Sequence, residues 1–151
     1  MTVELVTDVT PDLVEAFDNL IPQLSSSAPP MGKKELKKFL SQPNVFLFAY
    51  RAVPEQEEPI PGADKILGIL TLVTFEIPTG IRAWIEDVVV DQAARGQGAG
   101  QALVEASLAK AEEVGAVTVD LTSRPSREAA NRLYVRCGFV ARETNIYRYS
   151  K

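Results

Sequence analysis

Residues able to do chemistry cluster in three stretches of this chain. Glu86 and Asp87 are adjacent carboxylates inside the β-branched run Ile85 to Val90. Directly after it, Arg95-Gly96-Gln97-Gly98-Ala99-Gly100-Gln101 alternates glycine with small and polar residues and opens an alanine-rich stretch. Later, Asn131 and Tyr134 stand three positions apart, the spacing that puts two side chains on one helix face. A strand, a glycine loop and a helix start together form an anion site. Glycine lets a ligand approach the backbone closely, and the first N–H groups of a helix have no internal partner and lie at the positive end of its dipole. Arg95 adds a full positive charge at the mouth. The sequence has no histidine, which removes His-based triads and His-ligated metal sites, and no metal is expected. Proton transfer must therefore come from carboxylates, Tyr, Lys, Cys or water. The one cysteine, Cys137, excludes an internal disulfide, has no His partner and reads as packing.

The glycine spacing decides among phosphate loops. A Walker loop needs Gly-Lys-Ser/Thr, and no lysine follows these glycines. A dinucleotide fingerprint needs Gly-x-Gly-x-x-Gly after the first strand, with an acid about 20 residues on. Here the spacing is Gly-x-Gly-x-Gly and several strands precede it, although Asp120 lies near the right distance. What fits is Arg-x-x-Gly-x-Gly, formed by Arg95, Gly98 and Gly100.

These residues need elements to hold them. The 151 residues suit one domain, 1–151, with one substantial core. Apolar content of 46% and charged content of 24% are ordinary for a globular chain. The net charge of −4 weighs against nucleic-acid binding and suits a cationic substrate weakly. With no signal peptide and no long apolar run, a cytoplasmic protein without membrane contact is expected.

Thr2 to Asp8 alternates as a first strand, and Thr10-Pro11 then marks a helix start. Leu13, Phe17, Leu20, Ile21 and Leu24 share one face of that helix, which Pro22 should kink or end. Lys33 to Leu40 is a short second helix with a lysine-rich outer face that reads as solvated. Strands are expected at Val45 to Tyr50, Lys65 to Glu76 and Arg82 to Val90, the last two antiparallel across Pro78-Thr79-Gly80, with an exposed proline-rich loop at 52–64. A third helix runs from the glycine loop to about Val114, and Gly115 takes the C-cap glycine position. Ala116 to Thr122 is a fifth strand, parallel to the fourth by its helical crossover. A helix over Arg127 to Arg136 follows, with Ser126 as its expected cap, and 139–142 and 144–150 read as a closing hairpin.

This order is α/β with a single mixed sheet, and it resembles the GNAT superfamily of acyl-CoA-dependent N-acyltransferases over essentially the whole chain. Three motifs carry the likeness: Arg95 to Gly100, Ile85-Glu86-Asp87-Val88-Val89-Val90, and Asn131-Arg132-Leu133-Tyr134-Val135-Arg136-Cys137-Gly138-Phe139, which is similar to the family's Asn-x-x-Tyr-x-x-x-Gly-Phe segment. The resemblance implies the GNAT fold, with strands four and five splayed apart and about four flanking helices. It implies acetyl-CoA as cosubstrate. The N–H groups of Arg95, Gly96, Gln97, Gly98, Ala99, Gly100 and Gln101 would hold the pyrophosphate. The strand edge at Val88, Val89 and Val90 would meet the pantetheine arm, Asn131 the cofactor, and Tyr134 the sulfur. Dimers are common in the family, so a homodimer is implied on that warrant.

Transfer of an acyl group from a thioester to an amine needs a neutral amine, a stabilised oxyanion and a leaving thiolate. An alkyl amine with a pKa near 10.4 makes its neutral form cost roughly 4–5 kcal/mol at pH 7, so a base is useful. On a regular strand Trp84, Glu86, Val88 and Val90 share one face and Ile85, Asp87 and Val89 the other, so only one of the two acids would face a cleft. Glu86 is the candidate base, directly or through water. The Glu-Asp pair is similar to that of the spermidine/spermine acetyltransferase branch, while Glu86 as an orienting or ion-paired residue stays open. Asp87 reads as a structural ion pair, Arg127 and Arg136 as surface salt bridges or phosphate contacts, and Trp84 as cleft lining or core. The N–H of Val88 or a neighbour is the expected oxyanion donor, and Tyr134 the expected acid. A small primary amine is the favoured acceptor. A protein N-terminus or lysine is the alternative, which would need an open groove between the early helices and the closing hairpin. A catalytically silent acyl-CoA-binding domain is the reading from another class.

Overall fold

The computed structural model describes residues 2–51 and 65–151. The expected loop at 52–64 lies outside the described residues. The elements run β1 (Thr2–Val6), α1 (Pro11–Leu24), α2 (Lys33–Leu40), β2 (Val45–Arg51), β3 (Ile66–Ile77), β4 (Gly80–Val90), a 3-10 turn (Gln92–Ala94), α3 (Ala99–Glu113), β5 (Ala116–Asp120) and α4 (Glu128–Arg136). Among the described residues the sheet has five strands in the order β1-β2-β3-β4-β5, antiparallel throughout except for the parallel pair β4–β5. That parallel pair is what a helical crossover forces. This is the mixed sheet with four helices of the GNAT fold.

Each sheet face has its own apolar layer. Leu13, Phe17, Leu20 and Leu36 from α1 and α2 pack on Leu47, Ala49, Ile69 and Val89. On the other face, Leu103, Val104 and Ala111 of α3 and Tyr134 of α4 pack on Phe48, Leu70, Leu72, Ala83 and Ile85. Ser107 is fully buried in α3 and returns its hydroxyl to Val104 O at 2.7 Å, so no buried donor is stranded there.

Outside the site, the structure departs from the sequence reading at these points. The hairpin expected over 139–150 does not form; Phe139 N donates to Tyr134 O, and beyond it the chain has no regular structure and is exposed throughout. α1 does not end at Pro22 but continues to Leu24, where Ser25 N donates to Ile21 O. Thr10 occupies the N-cap position with Pro11 after it, but its hydroxyl bonds the Asp12 carboxylate instead of a free helix N–H. Arg127, not Ser126, is the cap residue of α4.

Candidate active site

A deep cleft of about 2310 Å³ opens where β4 and β5 part. The two strands pair only from Ile81 to Trp84 on β4, matched to Ala116 to Asp120 on β5. From Ile85 onward the β5-facing edge of β4 has no strand beside it among the described residues, which is the splay the fold implies. One wall of the cleft comes from α1 and the connector after it, including Phe17, Ile21, Leu24 and Met31. The floor is β4 from Ile85 to Val90. The far wall is the β5–α4 loop and α4, with Tyr134 among them, and Ile146 and Arg148 of the C-terminal segment reach it too.

β4 is not regular at the acids. In the β3–β4 register Ile69 pairs Val89 and Thr71 pairs Glu86, so Asp87 and Val88 together oppose Leu70. That is a β-bulge, and Asp87 sits at φ 51°, in the left-handed region that Asp tolerates better than most residues. The bulge inverts the phase of the strand. Ala83 and Ile85 pack with the α3 layer, whereas Val89, which would share their face on a regular strand, packs with the α1 layer. The expected face assignment therefore fails beyond Glu86. Glu86 and Asp87 are both exposed and both line the cleft, and neither forms an ion pair among the described residues. The structural ion pair expected for Asp87 is absent there.

The glycine loop follows from the end of β4. Asp91 N donates to Leu67 O at 2.7 Å, and the Asp91 carboxylate accepts the Ala93 N–H at 2.9 Å, which starts the 3-10 turn. Gly96 and Gly98 have φ of +81° and +79° with open space where a side chain would point. Glycine is needed here for backbone conformation, not for lack of room. Gly100 differs: a Cβ there would lie 2.9 Å from Leu133 Cδ2, so its bareness lets α3 and α4 meet. The turn uses the N–H groups of Arg95 and Gln97, which donate to Gln92 O and Ala94 O. The N–H groups of Gly96, Gly98, Ala99, Gly100 and Gln101 carry no such bond, since the first helical bond is Ala102 N to Gly98 O. Of the seven residues expected at the loop, Arg95, Gly96, Gly98, Ala99, Gly100 and Gln101 line the cleft, as do Val88, Val89 and Val90. Gln97 does not.

Tyr134 is buried, stands edge-on to Phe139 with ring centroids 5.9 Å apart, and lines the cleft. Burial pushes its hydroxyl above the ordinary tyrosine value, while the positive charge of Arg127 pulls partly the other way. Asn131 lies outside the cleft walls; its Nδ2 donates to Arg124 O at 3.0 Å and so ties α4 to the loop before it. Cys137 is half-buried outside the cleft, and burial raises its thiol, which suits packing rather than nucleophilic attack. Trp84 is half-buried between Val73 and Asp120 in the sheet and does not line the cleft.

The arginines were under-read from sequence. Arg95, Arg124, Arg127, Arg132, Arg136 and Arg148 all line the cleft. None of them is in an ion pair among the described residues, so the surface salt bridges expected for Arg127 and Arg136 are not made. Their sequence signal was weak because they come from four separate segments that only the fold gathers.

A mixed sheet splayed at its parallel pair, with bare amides at one end of the gap and a buried tyrosine beside it, is the frame of an acyl-CoA acyltransferase. The model of the Acetyltransferase (GNAT) family matches residues 14–139, and the chain belongs to that family. No curated protein gives a sequence match. Among solved structures, a glucosamine-6-phosphate N-acetyltransferase from Arabidopsis thaliana superposes with a TM-score of 0.77 at 19% identity, over 100% of both chains. An aminoglycoside acetyltransferase from an uncultured soil metagenomic sample gives 0.77 at 22% identity, over 99% of this chain and 95% of that one. A transcriptional regulator from Bacillus halodurans C-125 gives 0.72 at 23% identity, over 99% of this chain and 100% of that one. At these identities the likeness is one of fold. Among the described residues no helix is long and apolar enough to cross a membrane.

Proposed function

We propose that this acyltransferase moves the acetyl group of acetyl-CoA to a small primary amine by direct attack in a ternary complex. The observation that carries the reading is the continuity of one cleft, from the unbonded amides of Gly96, Gly98, Ala99, Gly100 and Gln101, along the uncovered edge of β4, to Tyr134. The residues fit the cosubstrate. Five bare N–H groups and a helix start suit a pyrophosphate, and the arginines around the mouth suit its remaining negative charge. The cleft is larger than a typical small-molecule pocket of about 300–1,000 Å³, which suits an elongated cosubstrate and a second reactant together.

Acetyl-CoA supplies an activated thioester. The chain supplies the rest. Glu86 takes the amine's proton, through an ordered water, and Asp87 shares its side of the cleft and attracts a cationic amine. The N–H of Val88, beside the bulge, is the donor to the charge that grows on the acyl oxygen. Tyr134, a neutral hydroxyl whose pKa burial raises further, donates to the departing sulfur. Asn131 serves the cofactor indirectly, by fixing the loop that carries Arg124 and Arg127.

A small acceptor is favoured because the fold neighbours named for their acceptor, the aminoglycoside and glucosamine-6-phosphate enzymes, act on small amines or amino sugars. One observation favours a second reading. Among the described residues the segment beyond α4 forms no hairpin and meets the cleft only at Ile146 and Arg148, so the side on which a peptide amine would approach has no strand across it. Thiol release from acetyl-CoA, measured over a panel of amino sugars, polyamines, amino acids and short peptides, decides between them. Faster release with the small amines supports the first reading, and faster release with peptides the second. Binding of acetyl-CoA with no thiol release on any amine would leave a silent acyl-CoA-binding domain instead.

A further inference from the structure

α1 and the glycine loop are joined by a side-chain tie spanning 72 residues of sequence, Asn19 Nδ2 to Asp91 Oδ2, with Gln23 of α1 as a weaker second partner of the same carboxylate. Asp91 is the junction of this end of the molecule. Its N–H is bonded to Leu67 O on β3, its other carboxylate oxygen holds the Ala93 N–H, and the bare amides begin five residues later at Gly96. Its carboxyl is held below the usual carboxylate range, first by the Ala93 N–H, then by Asn19, with Gln23 and Arg95 adding to this. Gln23 in turn donates to Asn19 O at 3.1 Å and itself lines the cleft. On its other side α1 presents Phe17, Ile21 and Leu24 to the same cleft, across from the cofactor loop. α1 otherwise packs on β3 and β4.

We infer that Asn19 is a positioning residue, whose amide holds the Asp91 turn in register and so couples the α1 wall of the cleft to the amide cradle at α3. Asn19 touches neither reactant in this reading. It fixes the direction from which Gly96 and Gly98 present their N–H groups, and it passes the stiffening of a filled cradle to the half of α1 from Asn19 to Leu24. A hydrogen bond to a charged partner is of the right size for this, and coupling of this kind is reciprocal between two sites.

The inference rests on the acetyl-CoA reading for its ligand arm only, so the experiment has two arms. In the first, amide hydrogen exchange is followed without ligand in the wild type and in Asn19→Ala. Asn19 is exposed, so the variant folds. Exchange at the bonded amides of Ala93, Ala94, Arg95 and Gln97 should quicken several-fold, with β2 and β3 unchanged; equal exchange at these four amides overturns the tie, whatever the ligand. In the second arm, acetyl-CoA is added. Wild-type protection should appear both at 96–102 and at 19–24, whereas Asn19→Ala should keep the first, lose the second and bind acetyl-CoA about five- to tenfold more weakly. Retention of 19–24 protection in the variant overturns the coupling. Failure of the wild type to bind acetyl-CoA overturns the proposed cosubstrate, and the first arm still decides the tie.

Discussion

Tyr134 and Glu86 carry different halves of the chemistry, and single substitutions separate them. Removing the hydroxyl in Tyr134→Phe keeps the ring against Phe139 and the core, so acetyl-CoA affinity should hold while turnover falls by about 10²-fold. Parallel measurements of thiol release and equilibrium binding check this, and equal turnover in the two proteins would remove Tyr134 from the acid role. The same variant tests the burial argument. A hydroxyl whose pKa is raised in the folded state contributes stability that is complete below the ordinary tyrosine value, about 10, and is lost as pH climbs through the raised one. Melting temperatures followed from pH 8 to 11 should therefore fall more steeply for the wild type than for Tyr134→Phe. For the base, Glu86→Gln should lower kcat/KM by about 10²-fold. Asp87→Asn is its control: asparagine keeps the left-handed conformation the bulge requires, so a near-normal rate there assigns the proton transfer to Glu86. Normal rates in both variants would assign it to water alone.

The glycine loop shows how one residue type meets two demands within a single element. Gly98→Ala forces a side chain into φ +79° and should cost about 1–2 kcal/mol of stability while loosening acetyl-CoA binding. Gly100→Ala carries no such backbone cost; only the end of Leu133 must move, and alanine is the better helix former, so stability should stay within about 1 kcal/mol. Urea unfolding of both variants measures the difference. Helices and strands like this one were legible in the sequence because period and punctuation agreed: α2 begins and ends where its apolar spacing and flanking residues put it, and Gly115 closes α3 at φ +84°. The bulge was not legible. Nothing in Ile85-Glu86-Asp87-Val88-Val89 announces an extra residue, because a bulge is a mismatch between two strands and only the β3 register reveals it. The same holds for Asn131 and the arginines. Their types and spacing were visible, but the direction of an amide, or the meeting of Arg95, Arg124 and Arg148, belongs to elements far apart in the chain. The closing hairpin failed for a related reason: alternation in 144–150 marks a segment that can pair, without naming what it pairs with.

Charge and apolar surface are both unevenly spread over the molecule. A chain with net charge −4 gathers six arginines around one cleft, which separates its field into an anion-attracting mouth and an acidic remainder. The apolar asymmetry lies at the same end. Of the nine large apolar side chains that stand exposed among the described residues, Val117, Val135, Val140, Ile146, Tyr147 and Tyr149 belong to β5, α4 and the segment after it. β5 is also the outer strand there, so its far edge offers unpaired backbone beside Val117 at 62% exposure. Edges of this kind pair with another chain unless charge or proline blocks them, and β5 has neither along Ala116-Val117-Thr118-Val119. The segment after α4 adds Ile146, Tyr147 and Tyr149 to this exposed apolar surface, and a surface shared by two copies of one chain closes as a two-fold pair. The prediction at this scale is a homodimer in which this end of each copy covers the other. Light scattering after size exclusion should give twice the chain mass. Val117→Lys, which places a charge on the open edge without touching either core layer, should shift the protein toward monomer and weaken self-association about tenfold or more. Because Ile146 and Arg148 reach the cleft, the monomeric variant should also bind acetyl-CoA or its acceptor less tightly than the dimer. A wild-type protein that stays monomeric up to its solubility limit would overturn this expectation.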